Sequence, residues 1–175
     1  MKSHQERGFS MLLMIGILIL VAFLGNKALN KIHKYRVFKE ASRITMQAKK
    51  LSCKFDGEQY KTYAEMMDET GTVPAGLQYA GDILRGMEDI TYQFVENSSK
   101  HFTLRIGNLD NRSCTDLVTS RWFGNEDTPG FAAMRIENSR WFQIGDERGA
   151  RAFCTNHHDG YIMVKFFGCS ENKTN

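Results

Sequence analysis

Residues 9–25 carry one polar side chain, Ser10, and no charge. A helix lying on a water-soluble domain shows a polar stripe opposite its apolar one, and this run has none. Seventeen residues at 1.5 Å rise make about 25 Å of helix, near the short end of what spans a hydrocarbon core. The run therefore predicts a membrane-inserted helix. Beyond it the pattern changes without a break. Leu29, Ile32, Tyr35, Phe38, Ala41, Ile44, Ala48 and Leu51 recur at spacings of three or four. With no proline or turn cluster between, one continuous helix is expected over residues 9–52, apolar all round at first and amphipathic later.

After Cys53 the periodicity shortens. Asp56-Gly57 marks a turn, and Tyr60, Tyr63, Ala64, Met66 and Met67 suggest a short helix ending near Gly71. The stretch GTVPAGLQYAG, with Pro74, reads as a glycine-rich connecting loop without phosphate-binding spacing. TYQFV and HFTLRI alternate on either side of Asn97-Ser98-Ser99-Lys100, the mark of a hairpin. CTDLVTSRW suggests a short helix with Leu117 and Val118 facing in. FAAMRI, WFQI and YIMVKFF follow as strands. One long helix before a small antiparallel sheet with inserted helices is an α+β order. The helix is assigned to residues 9–52, its membrane-spanning part to 9–25, and the globular domain to 53–175.

Charge and cysteine content refine this picture. A net charge of +3, from 23 basic and 20 acidic residues, implies no general polyanion-binding surface. The basic residues Lys27, Lys31, Lys34, Arg36, Lys39, Arg43, Lys49 and Lys50 crowd the region after the apolar run, as on a solvated helix face beside a membrane. Four well-separated cysteines behind an apolar segment favour disulfides in an oxidising compartment, with three connectivities open. A positive-inside count would instead place the C-terminal part in the cytoplasm. We follow the cysteines. No small-residue cleavage site follows the run, so it does not read as an excised secretory signal.

Candidate chemistry is sparse. CTNHHDG holds three metal-ligand types, His157, His158 and Asp159, but adjacent histidines on an extended chain point to opposite faces, and Asp159-Gly160 is a common hairpin turn. A Cys114 or Cys154 thiol beside His157 would be disabled by disulfide bonding. Neither a metal nor a cofactor is expected, and no catalytic residue is assigned. Trp122, Phe123, Phe131, Trp141 and Phe142 read as packing of sheet against helix. Arg121, Arg135, Arg140, Arg148 and Arg151 lie near them in sequence, too diffusely to imply nucleic acid as a partner. Asn97, Asn111 and Asn172 begin N-x-[ST] triplets, which matter only in a host that glycosylates exported proteins.

The short basic leader, Arg7-Gly8, and Phe9 opening an apolar helix that turns amphipathic resemble the type IV pilins and pseudopilins. The cysteine-bridged C-terminal region is most similar to that of the type IVb pilins. The resemblance implies a leader of residues 1–8, cut after Gly8 by a prepilin peptidase that also methylates the new amine of Phe9. It implies a subunit held in the bacterial inner membrane by a single span until assembly machinery moves its helix into a surface filament, alongside copies of itself or other pilins. It also suggests Cys114 with Cys154, leaving Cys53 for Cys169, while Cys154 with Cys169 across the final hairpin stays open. One position departs from the family: Leu13 stands where these helices carry a glutamate that pairs with a neighbour's N-terminal ammonium. The alternative reading is an uncleaved single-pass membrane protein presenting a periplasmic binding domain.

Overall fold

A computed structural model of the chain describes residues 3–118, 130–143, 146–154 and 160–169. Its side chains are described for residues 14–25 and from residue 37 onward, Glu88, Arg112, Asp116 and Glu147 excepted. The described residues form an α+β fold. Its helices are α1 (Ser3–Ser52), α2 (Tyr63–Glu69), α3 (Asn111–Val118) and α4 (Glu147–Cys154). Its strands are β1 (Gln78–Ala80), β2 (Ile83–Arg85), β3 (Thr91–Asn97), β4 (His101–Gly107), β5 (Phe131–Ile136), β6 (Trp141–Phe142) and β7 (Ile162–Phe167). The chain divides into two compact units, Met1–Arg36 and Val37–Asn175.

In the second unit the strands form one sheet in the order β1-β2-β3-β4-β7-β5-β6, and every neighbouring pair is antiparallel. Alternation along β7 sets the two faces: Ile162, Val164 and Phe166 are buried, and Tyr161, Met163 and Lys165 lie on the other side. Across the sheet Leu84, Tyr92, Leu104, Ile106, Met134 and Ile136 complete the apolar face. A bulge at Val95 shifts the β3–β4 register, so that Glu96 stands opposite Thr103.

That face is covered by the last turns of α1. Val37, Ala41, Ile44, Ala48 and Leu51 are buried, a stripe at spacings of four and three that matches one side of a helix. Each large member contributes about 1.5–3 kcal/mol by leaving water. Near the start of this stripe the Tyr92 hydroxyl donates to Glu40 Oε2 at 2.8 Å. Gly86 lies so close that a Cβ there would run into the Glu40 carboxylate and the Tyr92 ring. At the other end Cys53 is bonded to Cys169, with Cα atoms 5.1 Å apart. A second bridge, Cys114–Cys154, joins α3 to α4. These are the pairs suggested by the pilin resemblance, and Cys154 is not joined to Cys169.

Tyr63 anchors α2. Thr62 caps the helix by accepting from the Glu65 N–H at 3.1 Å. The Tyr63 ring packs against Phe55, Phe94 and Phe102, with centroids 4.5, 5.4 and 5.3 Å away. Its hydroxyl donates to the Ser98 carbonyl in the β3–β4 turn at 2.7 Å.

Three elements differ from the sequence expectation. The glycine-rich loop contains β1 and turns through Gly81, at φ 72°, into β2. The WFQI segment forms a strand only at Trp141–Phe142. Helix α4 has no counterpart in the periodicity reading, because its apolar contribution is limited to Ala150, Cys154 and the partly buried Phe153 among charged residues and Gly149. Short elements carry too few apolar positions to show a period.

Burial pushes the Tyr63 hydroxyl up to about 12, against an ordinary value near 10. The unfolded chain loses that proton first, so this group's stabilisation is complete below pH 10 and is lost as pH rises towards 12. Urea unfolding of the full chain in detergent should show a midpoint that falls through this window. A Tyr63→Phe variant should start lower, lacking the donor to Ser98, and should fall less steeply with pH.

Candidate functional site

The most unusual surface belongs to the first unit. Along α1, residues 14–25 are all exposed, and the five consecutive side chains Ile17, Leu18, Ile19, Leu20 and Val21 are 49%, 67%, 65%, 58% and 60% accessible. At about 100° per residue, five successive positions go once round a helix, so no side of this segment is polar. An apolar cylinder of this kind calls for lipid or for other apolar helices. Among the described residues no helix is long and apolar enough to cross a membrane. The twelve positions with described side chains would account for about 18 Å of helix. Residues 9–13, the remainder of the expected span, lie outside the described side chains, as do the expected cleavage site at Gly8, the methylation site at Phe9 and the substituted position Leu13.

The other sequence candidates are dispersed by the fold. Cys53, Cys114, Cys154 and Cys169 are all in disulfides, which removes Cys114 and Cys154 as nucleophiles. His157, His158 and Asp159 lie outside the described residues. Among the described residues no three His, Cys, Asp or Glu side chains gather as a metal site. The aromatic group separates: Phe131 and Phe142 are buried in the core, Trp141 points to the opposite face, and Trp122, Phe123 and Arg121 fall outside the described residues. Arg140 pairs with Asp146 at 2.9 Å, an exposed contact of little energetic weight.

Two surface depressions accompany the helix-to-sheet packing. One, of about 550 Å³, lies beside the Cys53–Cys169 bridge and is lined by Phe55, Ser99, Lys100, Phe167 and Gly168 as well. The other, of about 310 Å³, runs along α1 between Arg43, Met46, Gln47 and Lys50 on one side and Thr72, Pro74 and Ala75 on the other. Neither lining includes a carboxylate or an imidazole. Among the described residues the prominent features are an exposed apolar helix segment and a doubly bridged domain.

No protein-family model, no curated protein and no solved structure matches the chain.

The bridges give a direct chemical expectation. Denatured without reductant, the full chain should show no reactive thiol, and after reduction it should show four. Mass mapping of the unreduced digest should recover Cys53 with Cys169 and Cys114 with Cys154.

Proposed function

We propose that this chain is a structural subunit of a helix-cored filament of the type IV pilus or pseudopilus kind. The observation that carries this reading is the exposed apolar cylinder of residues 14–25, set in the same helix, Ser3–Ser52, whose residues 37–52 pack into the globular unit. A bare anchor needs the first part only. A subunit that assembles through its helix needs both, because the helix must be solvated by lipid before assembly, enclosed by other helices afterwards, and joined firmly to the domain in either state. Two disulfides in the globular unit suit a domain held on the oxidising, periplasmic side.

In this proposal the segment 9–25 spans the inner membrane before assembly. A prepilin peptidase cuts after Gly8 and methylates Phe9, and assembly machinery transfers the helix from bilayer to filament. The transfer exchanges lipid contact for helix contact, both apolar, so the hydrophobic effect contributes little and packing must supply the preference. Work from elsewhere is then needed to move the subunit. Leu13 adds no charge to the bundle, so the subunit either sits where no neighbour's ammonium needs neutralising or takes its register from helix packing alone.

Intact-mass measurement of the protein from mature membranes tests the processing step. A product beginning at Phe9, with or without one methyl group, is expected; a chain retaining Met1 would refute processing and favour a single-pass protein presenting a binding domain. The absence of the usual carboxylate is tested separately by Leu13→Glu. If that missing charge limits where the subunit sits, the variant should be incorporated more frequently along filaments, as counted by immunogold labelling. Unchanged incorporation would show that helix shape alone governs its position.

A further inference from the structure

The face of the sheet turned away from α1 carries an arrangement that assembly does not use. One row of side chains crosses its middle: Gln93 on β3 stands opposite Arg105 on β4, Arg105 opposite Met163 on β7, Met163 opposite Arg135 on β5, and Arg135 opposite Trp141 on β6. Directly opposed residues of antiparallel strands share a face, so both arginines lie on the same side, two strand spacings or about 10 Å apart.

Each guanidinium is held by an aromatic ring. Arg105 Cζ lies 4.2 Å from the centroid of Tyr161, and Arg135 Cζ lies 5.0 Å from that of Trp141. Stacking fixes the plane of the cation but accepts none of its five N–H bonds in the manner of an oxygen. Arg135 Nη2 donates to Met163 Sδ at 3.1 Å, a weak acceptor, and the Nε of each arginine is buried with no hydrogen-bond partner. Among the described residues neither guanidinium meets a carboxylate.

The neighbouring acids are engaged elsewhere. Glu96 accepts from Thr103 and faces Lys165 at 3.5 Å, which keeps its carboxyl below the usual range, chiefly through the Thr103 bond. Asp82 accepts from Gln93, Asp146 takes Arg140, and Glu137 accepts the Gly160 N–H. Among the described residues Lys165 and Arg140 have counter-ions, and the two half-buried, oriented guanidiniums have none. The buried Nε atoms are closed to an outside group, so an anion would accept from the Nη donors of each guanidinium, where its charge offsets that of a partly desolvated cation.

We propose that Arg105 and Arg135 form a binding site for oxyanion groups of the phosphate or sulfate type on the outer face of the sheet. The fork of N–H donors matches such groups bidentately, and a fork already fixed by its stacking partner loses little freedom on binding. The site is independent of the filament reading, since it rests on the second unit alone.

The test is a titration of the full chain in detergent micelles with inorganic phosphate, following the arginine Nε–H resonances by NMR. Two Nε–H signals should move along saturable curves, and sodium chloride at matched ionic strength should not reproduce the movement. Arg105→Gln and Arg135→Gln should each weaken binding by about tenfold or more, and the double variant should abolish it. Arg105→Lys and Arg135→Lys keep the charge but lose the fork, and they should weaken binding too. Should a glutamine variant fail to fold, the lysine variants and the unmodified chain still decide the matter. Repeating the titration with a short oligothymidylate separates sources: much tighter binding, lost in the same variants, identifies a phosphate polymer, and equal binding identifies a single free group. Linear shifts, shifts matched by chloride, or saturation that survives in the double variant would overturn the site and leave the arginines as ordinary surface stacking.

Discussion

The structure depends on the seam between residues 37–52 of α1 and the apolar face of the sheet. Without that seam the apolar face that carries Leu84, Tyr92, Leu104, Ile106 and Val164 would lose cover, since α2 packs against β1 and β3 and α4 against β5 and β6. The seam is fixed at both ends by different means. At one end the Tyr92 hydroxyl reaches Glu40, and burial, followed by the nearby Glu40 carboxylate, holds that phenol far above its ordinary range, so it remains a donor. At the other end the bond between Cys53 and Cys169 closes a loop of 116 residues, worth about 5 kcal/mol in the chain-entropy model. A hydrogen bond alone would let the helix end fray; a covalent bond alone would let its start swing. Together they make residues 37–52 part of the domain.

This attachment gives the exposed apolar residues their mechanical meaning. Residues 14–25 show no polar side and gain nothing from water, whereas residues 37–52 are committed to the sheet. Under the proposed function the first part is the portion that passes from lipid to filament, and residues 37–52 belong to the domain it carries. The second bridge, Cys114–Cys154, serves a different purpose. It joins two eight-residue helices, each too short to be stable alone in water, and closes a loop of 40 residues. Its contribution is local order around α3 and α4, not attachment of α1.

Sequence patterns made the main frame legible because it rests on long periodic signals. The three-to-four spacing through Ala41, Ile44, Ala48 and Leu51 gave the buried stripe of α1, though Val37 is more deeply buried than Phe38. The alternation in HFTLRI and YIMVKFF gave β4 and β7. Three of the shorter elements were not legible: β1 and β2 owe their pairing to the Gly81 turn, and α4 buries too few side chains to mark a period. The arginine pair was invisible for another reason. Arg105 and Arg135 are 30 residues apart in sequence and meet only through β7, whose place between β4 and β5 is a property of topology. A grouping by sequence proximity instead collected Phe131 and Phe142, which face the core, with Trp141, which does not.

The two faces of the sheet also show why an orphaned cation is informative here. The inner face tolerates almost no ionisable side chain, and Glu40, its nearest carboxylate from α1, is matched by a phenol. The outer face is built on the opposite principle, with Glu96 beside Lys165 at short range. Exposed pairs of this kind stabilise a fold only slightly, so their presence is better explained as neutralisation than as support. Against that background two guanidiniums lodged on aromatic rings, with no carboxylate beside them among the described residues, stand apart: each ring orients its cation and neither neutralises it. What the arrangement preserves is a fixed pattern of donors on a solvent-facing sheet, and under the proposed site an oxyanion from outside the chain accepts from it.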